Sequence, residues 1–241
     1  MGSAAAGNVR LSATDARLAF RVGVAGHRPN RLPRDAARLA QLRQTIHTIL
    51  EQVRREGTSS SALPVILNAI SPLAEGSDRI FAEEALALNY SLFCPMPFPQ
   101  AEFEKDFLVP AALEKDSLTH FRALLERARK GPGLTVLELA GARAQAPEAY
   151  AAASQVLLDR IDLLIGVWDG GEPAGRGGTV DAIRDALNRN LPVIWIDAHA
   201  PEHWQLLSAM PRDTGMTARS PPGTLEDAIG GIVRTALASR Q

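Results

Sequence analysis

The chain has 241 residues, 46% hydrophobic and 22% charged, which is an ordinary globular balance. A formal net charge of −1 and a pI of about 6.5 exclude the broad basic surface of a dedicated duplex-DNA binder. The single cysteine, Cys94, excludes an internal disulfide and reads as a buried structural thiol in a reducing compartment; with no apolar stretch of membrane-spanning length, a cytoplasmic protein is expected.

In chain order, residues 1–17 read as a flexible N-terminus and residues 18–241 as a single domain. Phe20 to Gly26 is an apolar strand that runs into the turn His27-Arg28-Pro29-Asn30, with Gly26 placed where backbone can approach a ligand. Asp35 is positioned to cap a helix whose apolar stripe extends to about Arg55, and Gly57 to Ser61 reads as a polar loop. Val65 to Ile70 is a second strand, followed by the junction Ser71 to Asp78 and a helix from Asp78 to Leu88. Ser91 to Pro95 is a third strand, which the prolines from Pro95 to Pro99 are expected to end.

Helices are expected over Glu102–Phe107 and Leu113–Lys130, and Gly131-Pro132-Gly133 is a stop signal. Leu134 to Leu139 is a fourth strand, Pro147 to Arg160 a helix, and Ile161 to Trp168 a near-continuous apolar run suited to a strand buried on both faces. A glycine-rich loop, Asp169 to Gly178, then leads through Thr179 into a helical pattern. Leu191 to Ile196 is the last strong strand, Ala198 to Pro222 reads as irregular, and Leu225 to Ala238 is an amphipathic helix.

Strands alternating with helices imply an α/β fold: one doubly wound, mostly parallel Rossmann-like sheet of about six strands flanked by helices. Ligands in such folds bind beyond the carboxyl ends of the strands, where three loops rich in glycine and hydroxyl residues fall here. Backbone N–H groups of Gly177, Gly178 and Thr179 at a helix start, with the Arg176 charge beside them, suit an anion. Arg28 and Arg176 offer forked contacts to phosphate, and His27 suits hydrogen bonding to phosphate or acid–base work. His199 and His203 flank Pro201, which argues against the helix a zinc pair at that spacing needs, so no metal is expected. No cofactor motif is present, and none is expected.

The three loops together resemble the SLOG superfamily, which includes the lonely-guy enzymes and DNA-processing protein A. The resemblance rests on VAGHRPNRL at 24–32, SPLAEGSDRIFAEEAL at 71–86 and DGGEPAGRGGTVDAI at 169–183. The middle stretch is similar to the Ser-x-Leu-Ala-x-Gly-x-Asp signature of DNA-processing protein A, and the third sits where lonely-guy enzymes carry Pro-Gly-Gly-x-Gly-Thr-x-x-Glu. The resemblance implies a ligand bound across the loops by Gly26, His27, Arg28, Ser71, Glu75, Gly76, Asp78, Asp169, Arg176, Gly177, Gly178 and Thr179.

The position of the lonely-guy glutamate is Ala182 here, and Asp181 lies about 100° away around the helix. Hydrolase chemistry would have to use Glu75, Asp78 or Asp181. The first reading is therefore a domain that binds or senses a small nucleotide-derived ligand, ADP-ribose-like or cyclic, in a bacterial signalling or defence setting. It would act as a homodimer through the Asp78–Leu88 and Pro147–Arg160 helices, or through a separate effector protein. A nucleotide N-glycosidase or phosphoribohydrolase is the alternative. Single-stranded nucleic-acid binding is the third reading, weighed against by near-neutral charge and 5% aromatic content.

Overall fold

Parallel strands need crossover connections, so the helices of a strand–helix alternation come to lie on both faces of the sheet. A computed structural model describes residues 17–171, 177–207, 210 and 223–240. They form β1 (Leu18–Gly26), α1 (Ala36–Ser59), β2 (Val65–Ile70), α2 (Ser77–Ala87), β3 (Ser91–Met96), α3 (Gln100–Phe103), α4 (Ser117–Lys130), β4 (Leu134–Glu138), α5 (Ala146–Leu158), β5 (Leu163–Trp168), α6 (Thr179–Asn188), β6 (Val193–Asp197), β7 (Trp204–Leu207) and α7 (Leu225–Ala238). Among the described residues, seven strands form one sheet in the order β4-β3-β2-β1-β5-β6-β7. β1 to β6 pair in parallel, and β7 runs antiparallel to β6. Strand order reverses between β1 and β5, and a crevice opens at the carboxyl ends of such a pair.

The sheet divides the core by side-chain alternation. On β5, Leu163, Ile165 and Val167 join the cluster built with α1, α2, α4 and α7, while Leu164 and Trp168 join α5 and α6 on the other face. All six β5 residues are buried, as an unbroken apolar run requires. Cys94 is free and buried in the first cluster. No helix among the described residues is long and apolar enough to cross a membrane.

Several boundaries depart from the sequence reading, each for a local reason. Asp35 caps α1 as expected, accepting the Arg38 N–H at 2.8 Å. The helix nevertheless continues through Gly57 to Ser59, and Thr58 and Ser59 return their hydroxyls to the carbonyls of Arg54 and Glu56. β3 includes Pro95 and Met96: Met96 O accepts from Leu139 N on the β4 side, so the missing N–H of Pro95 faces β2, where pairing has already ended at Phe93. The expected 102–107 helix divides into α3 and a 3₁₀ turn over Glu104–Phe107. The expected 113–130 helix begins only at Ser117, because the N–H groups of Leu113 and Glu114 bond to Glu75 and Asp116 stands at φ 55°. β7 lies within a stretch read as irregular; residues 208–209 and 211–222 of that stretch, and the expected flexible N-terminus up to residue 16, lie outside the described residues.

Candidate nucleic-acid interface

At the β1/β5 crossover, the His27 N–H donates to Val167 O at 3.1 Å and draws the turn after β1 against the end of β5. The His27 ring is buried, with Nε2 at 3.1 Å from Asp169 N and 2.9 Å from Asp169 Oδ1. Burial lowers its pKa more than the hydrogen bond to the Asp169 carboxylate raises it. Burial alone would raise Asp169; hydrogen bonds from His27, the Gly171 N–H and Arg31 outweigh it and hold the carboxyl at about 2. His27 and Asp169 thus fasten two loops together, and Asp169 is committed to protein donors.

The β2–α2 junction is equally occupied with its own structure. Ser71 Oγ accepts the Leu73 N–H at 3.1 Å and donates to Asp78 O at 3.2 Å, holding Leu73 in the left-handed region at φ 59°. The fully buried Glu75 carboxylate accepts the N–H groups of Leu113 and Glu114, each at 3.0 Å. Gly76 has φ +89°, and a Cβ there would stand 2.6 Å from His27 O. Ser77 gives both its N–H and its Oγ to that same carbonyl, at 3.1 and 3.0 Å. Asp78 is buried, and burial pushes its carboxyl up to about 7 against the opposing charge of Arg28 and the Ala74 N–H.

At the β5–α6 junction, Gly178 is the N-cap and Thr179 the first helical residue. Asp181 reaches back to accept the Gly177 N–H at 2.9 Å and pairs with Arg184 at 3.2 Å. The N–H groups of Gly178, Thr179 and Val180 have no hydrogen-bond acceptor among the described residues. Arg176 lies outside those residues.

Between these junctions lies a cleft of about 540 Å³. Of the residues singled out from sequence, Gly26, His27, Arg28, Asp78, Gly177, Gly178 and Thr179 line it. Ser71, Glu75, Gly76, Asp169 and Asp181 do not; they brace the loops behind it. Leu157, Ala153 and Tyr150 of α5 form one wall, and Ala111 and Leu113 of the loop before α4 form part of another. Tyr150 hydrogen-bonds Asp106, and burial with that contact pushes its hydroxyl up to about 12.

Sequence reading missed Arg31, Arg79 and the 108–113 loop. Arg31 lies inside the quoted 24–32 stretch, but only the fold brings Asp169 to it. Arg79, one residue after the Ser71–Asp78 signature, is buried: it donates to Leu73 O, Ser117 and Glu114 and stacks 4.5 Å over the Phe107 ring. An uncharged run, Leu108 to Leu113, between charged neighbours was the available signal for the loop.

No family model and no curated protein matches the chain. Among solved structures, it is similar to DNA processing protein A from Helicobacter pylori, described for a single-stranded DNA binding mode, at 15% identity, 91% of this chain, 81% of that chain and TM-score 0.49. It is also similar to DNA processing protein A from Streptococcus pneumoniae, at 14% identity, 91% of this chain, 56% of that chain and TM-score 0.42. The small nucleotide-derived ligand expected as partner is corrected here: the neighbours are DNA-processing proteins, and the first is described with single-stranded DNA. The homodimer and the separate effector find no support among them. The site geometry adds a physical reason. Of the carboxylates that hydrolase chemistry would use, Glu75 and Asp181 are bound to protein donors behind the cleft, and Asp78, which lines it, is buried with its carboxyl pushed up to about 7.

Proposed function

We propose that the chain is a SLOG-type domain whose β1/β5 cleft binds single-stranded nucleic acid through its phosphate backbone. One observation carries this reading: Arg28 and the start of α6, with three N–H groups lacking acceptors among the described residues, line the same cleft. Both attract anions, the first as a forked cation and the second through aligned backbone dipoles. The rest of the wall is chiefly apolar or small, and the one carboxyl group in it among the described residues, Asp78, is buried and accepts the Ala74 N–H. A site of that kind takes a phosphate chain without reading its sequence. Near-neutral net charge sets the expectation of few phosphate contacts and modest affinity.

Fluorescence anisotropy with labelled thymidine oligonucleotides of increasing length tests it. Affinity rises with length over the first several nucleotides, and log K falls linearly with log salt by about 0.7 per phosphate contacted. Absence of binding to every oligonucleotide at low salt would overturn the proposal.

A further inference from the structure

Leu108 to Leu113 forms a short projecting loop at the edge of the cleft, and its six residues carry no charge. Val109 is 90% exposed, with Leu108 at 48% and Leu113 at 50%. Apolar side chains held this far into water contribute nothing to the core.

The loop's base is nonetheless firmly tied. Phe107 is buried against Phe103 and Phe121, with ring centroids 5.0 and 4.8 Å away. Within the loop, the N–H groups of Ala111 and Ala112 both donate to Leu108 O, at 2.8 and 3.0 Å. At its far end, buried Glu75 takes the N–H groups of Leu113 and Glu114, while Glu114 accepts from Gly76 N at 3.1 Å and from Arg79 at 3.2 Å. A buried carboxylate and a buried arginine thus hold an apolar tip in place beside the cleft, before anything binds there.

We infer that this tip is a base-contacting ledge: bases of a strand whose phosphates lie on Arg28 and the α6 start pack against Val109 and its neighbours. Three observations favour bases as the occupant. Ala111 and Leu113 line the cleft, so the ledge is continuous with the phosphate-attracting wall. Among the described residues no phenylalanine, tyrosine or tryptophan is exposed, and Tyr150 is the one of these besides buried Phe103 along the cleft, its hydroxyl tied to Asp106. A strand held there has no free aromatic platform for its bases, and the aliphatic tip supplies the apolar surface that bases need to leave water. An uncharged surface also suits bases and not phosphates.

This inference rests on the nucleic-acid reading of the cleft, and the test separates the two. The wild type, Val109→Ser and Val109→Trp are each titrated into labelled strands of about 12 nucleotides, one of thymidine and one wholly abasic with the same phosphates. Wild type binds the thymidine strand more tightly than the abasic one. Val109→Ser weakens the thymidine strand about three- to tenfold and leaves the abasic strand unchanged, and Val109→Trp tightens the thymidine strand alone. The site is too exposed for either change to disturb folding, which far-ultraviolet circular dichroism checks. If both strands bind wild type equally, or if the variants shift both strands alike or neither, the ledge is overturned while the cleft reading survives. If neither strand binds wild type, the cleft reading falls and the ledge with it.

Discussion

Arg31 and Asp169 stand 138 residues apart in the chain, yet their side chains meet as a fork, Nη2 at 2.7 Å from Oδ1 and Nε at 3.1 Å from Oδ2. Each comes from the loop after one of the two strands that meet at the switch point, so the pair fixes the spacing of those loops across the crevice. Both side chains are mostly shielded, which lets the charge-assisted bonds count. Replacing Arg31 by Ala, Asp169 by Ala, or both, should give a coupling energy of about 1–3 kcal/mol in a denaturant-melting cycle. Additive losses would show the fork to be incidental.

Gly76 tests the junction beside it. At φ +89°, with an added Cβ 2.6 Å from His27 O and 3.0 Å from Pro29 N, the obstacles are backbone atoms that cannot rotate away. Gly76→Ala should therefore lower stability by about 2–4 kcal/mol, more than an ordinary left-handed glycine costs. An unfolding midpoint within a degree or two of wild type would show that the turn relaxes freely.

Much of this architecture is legible in the residues. Val65–Ile70 and Leu225–Ala238 have the bounds that their apolar patterns define, and the Asp35 cap forms where its side chain indicates. Local pattern stops working where distant groups decide. The start of α4 is set by Glu75, 38 residues earlier, capturing the Leu113 N–H. β7 is only four residues long and exists because β6 offers it an edge. The site divides in the same way: glycines and turn residues mark the three loops, but a sequence cannot say which polar groups face a ligand and which face each other. Glu75 and Asp169 look like ligand carboxylates in the chain and are internal fasteners in the fold.

Asp78 gives the cleft a pH dependence. Burial raises its carboxyl from near 4 to about 7 in the folded state. A raised folded pKa means that this group's stabilising contribution is full below pH 4 and is lost as pH climbs through about 7. Asp78→Asn keeps an oxygen to accept the Ala74 N–H and removes the titration. The stability difference between variant and wild type should thus move in the variant's favour by up to about 4 kcal/mol between pH 4 and pH 8. Oligonucleotide affinity of wild type should fall across pH 7 as the carboxylate forms beside the strand, and the variant should not show this step. A pH-independent difference would place the Asp78 proton elsewhere.

Arg28 is the test of phosphate contact itself. Its side chain is 36% exposed and lies 3.7 Å from Glu75, whose carboxylate is already satisfied by two backbone N–H groups. A 3.7 Å contact from a partly exposed arginine to a carboxylate that keeps its two backbone donors contributes little to folding, so Arg28→Ala should stay within about 1 kcal/mol of wild type in stability. Binding should respond differently. Losing one forked cation costs about tenfold in oligonucleotide affinity at low salt, and the loss shrinks as salt rises because one fewer counterion is released. The salt slope should drop by about 0.7, while Arg28→Lys restores most of the slope and less of the affinity, since an ammonium keeps the charge without the fork. Removing Arg28 also takes away the charge that opposes burial at Asp78, so the pH step in affinity should move upward in Arg28→Ala. A loss of affinity that is equal at every salt concentration would mean that Arg28 shapes the loop instead of meeting a phosphate.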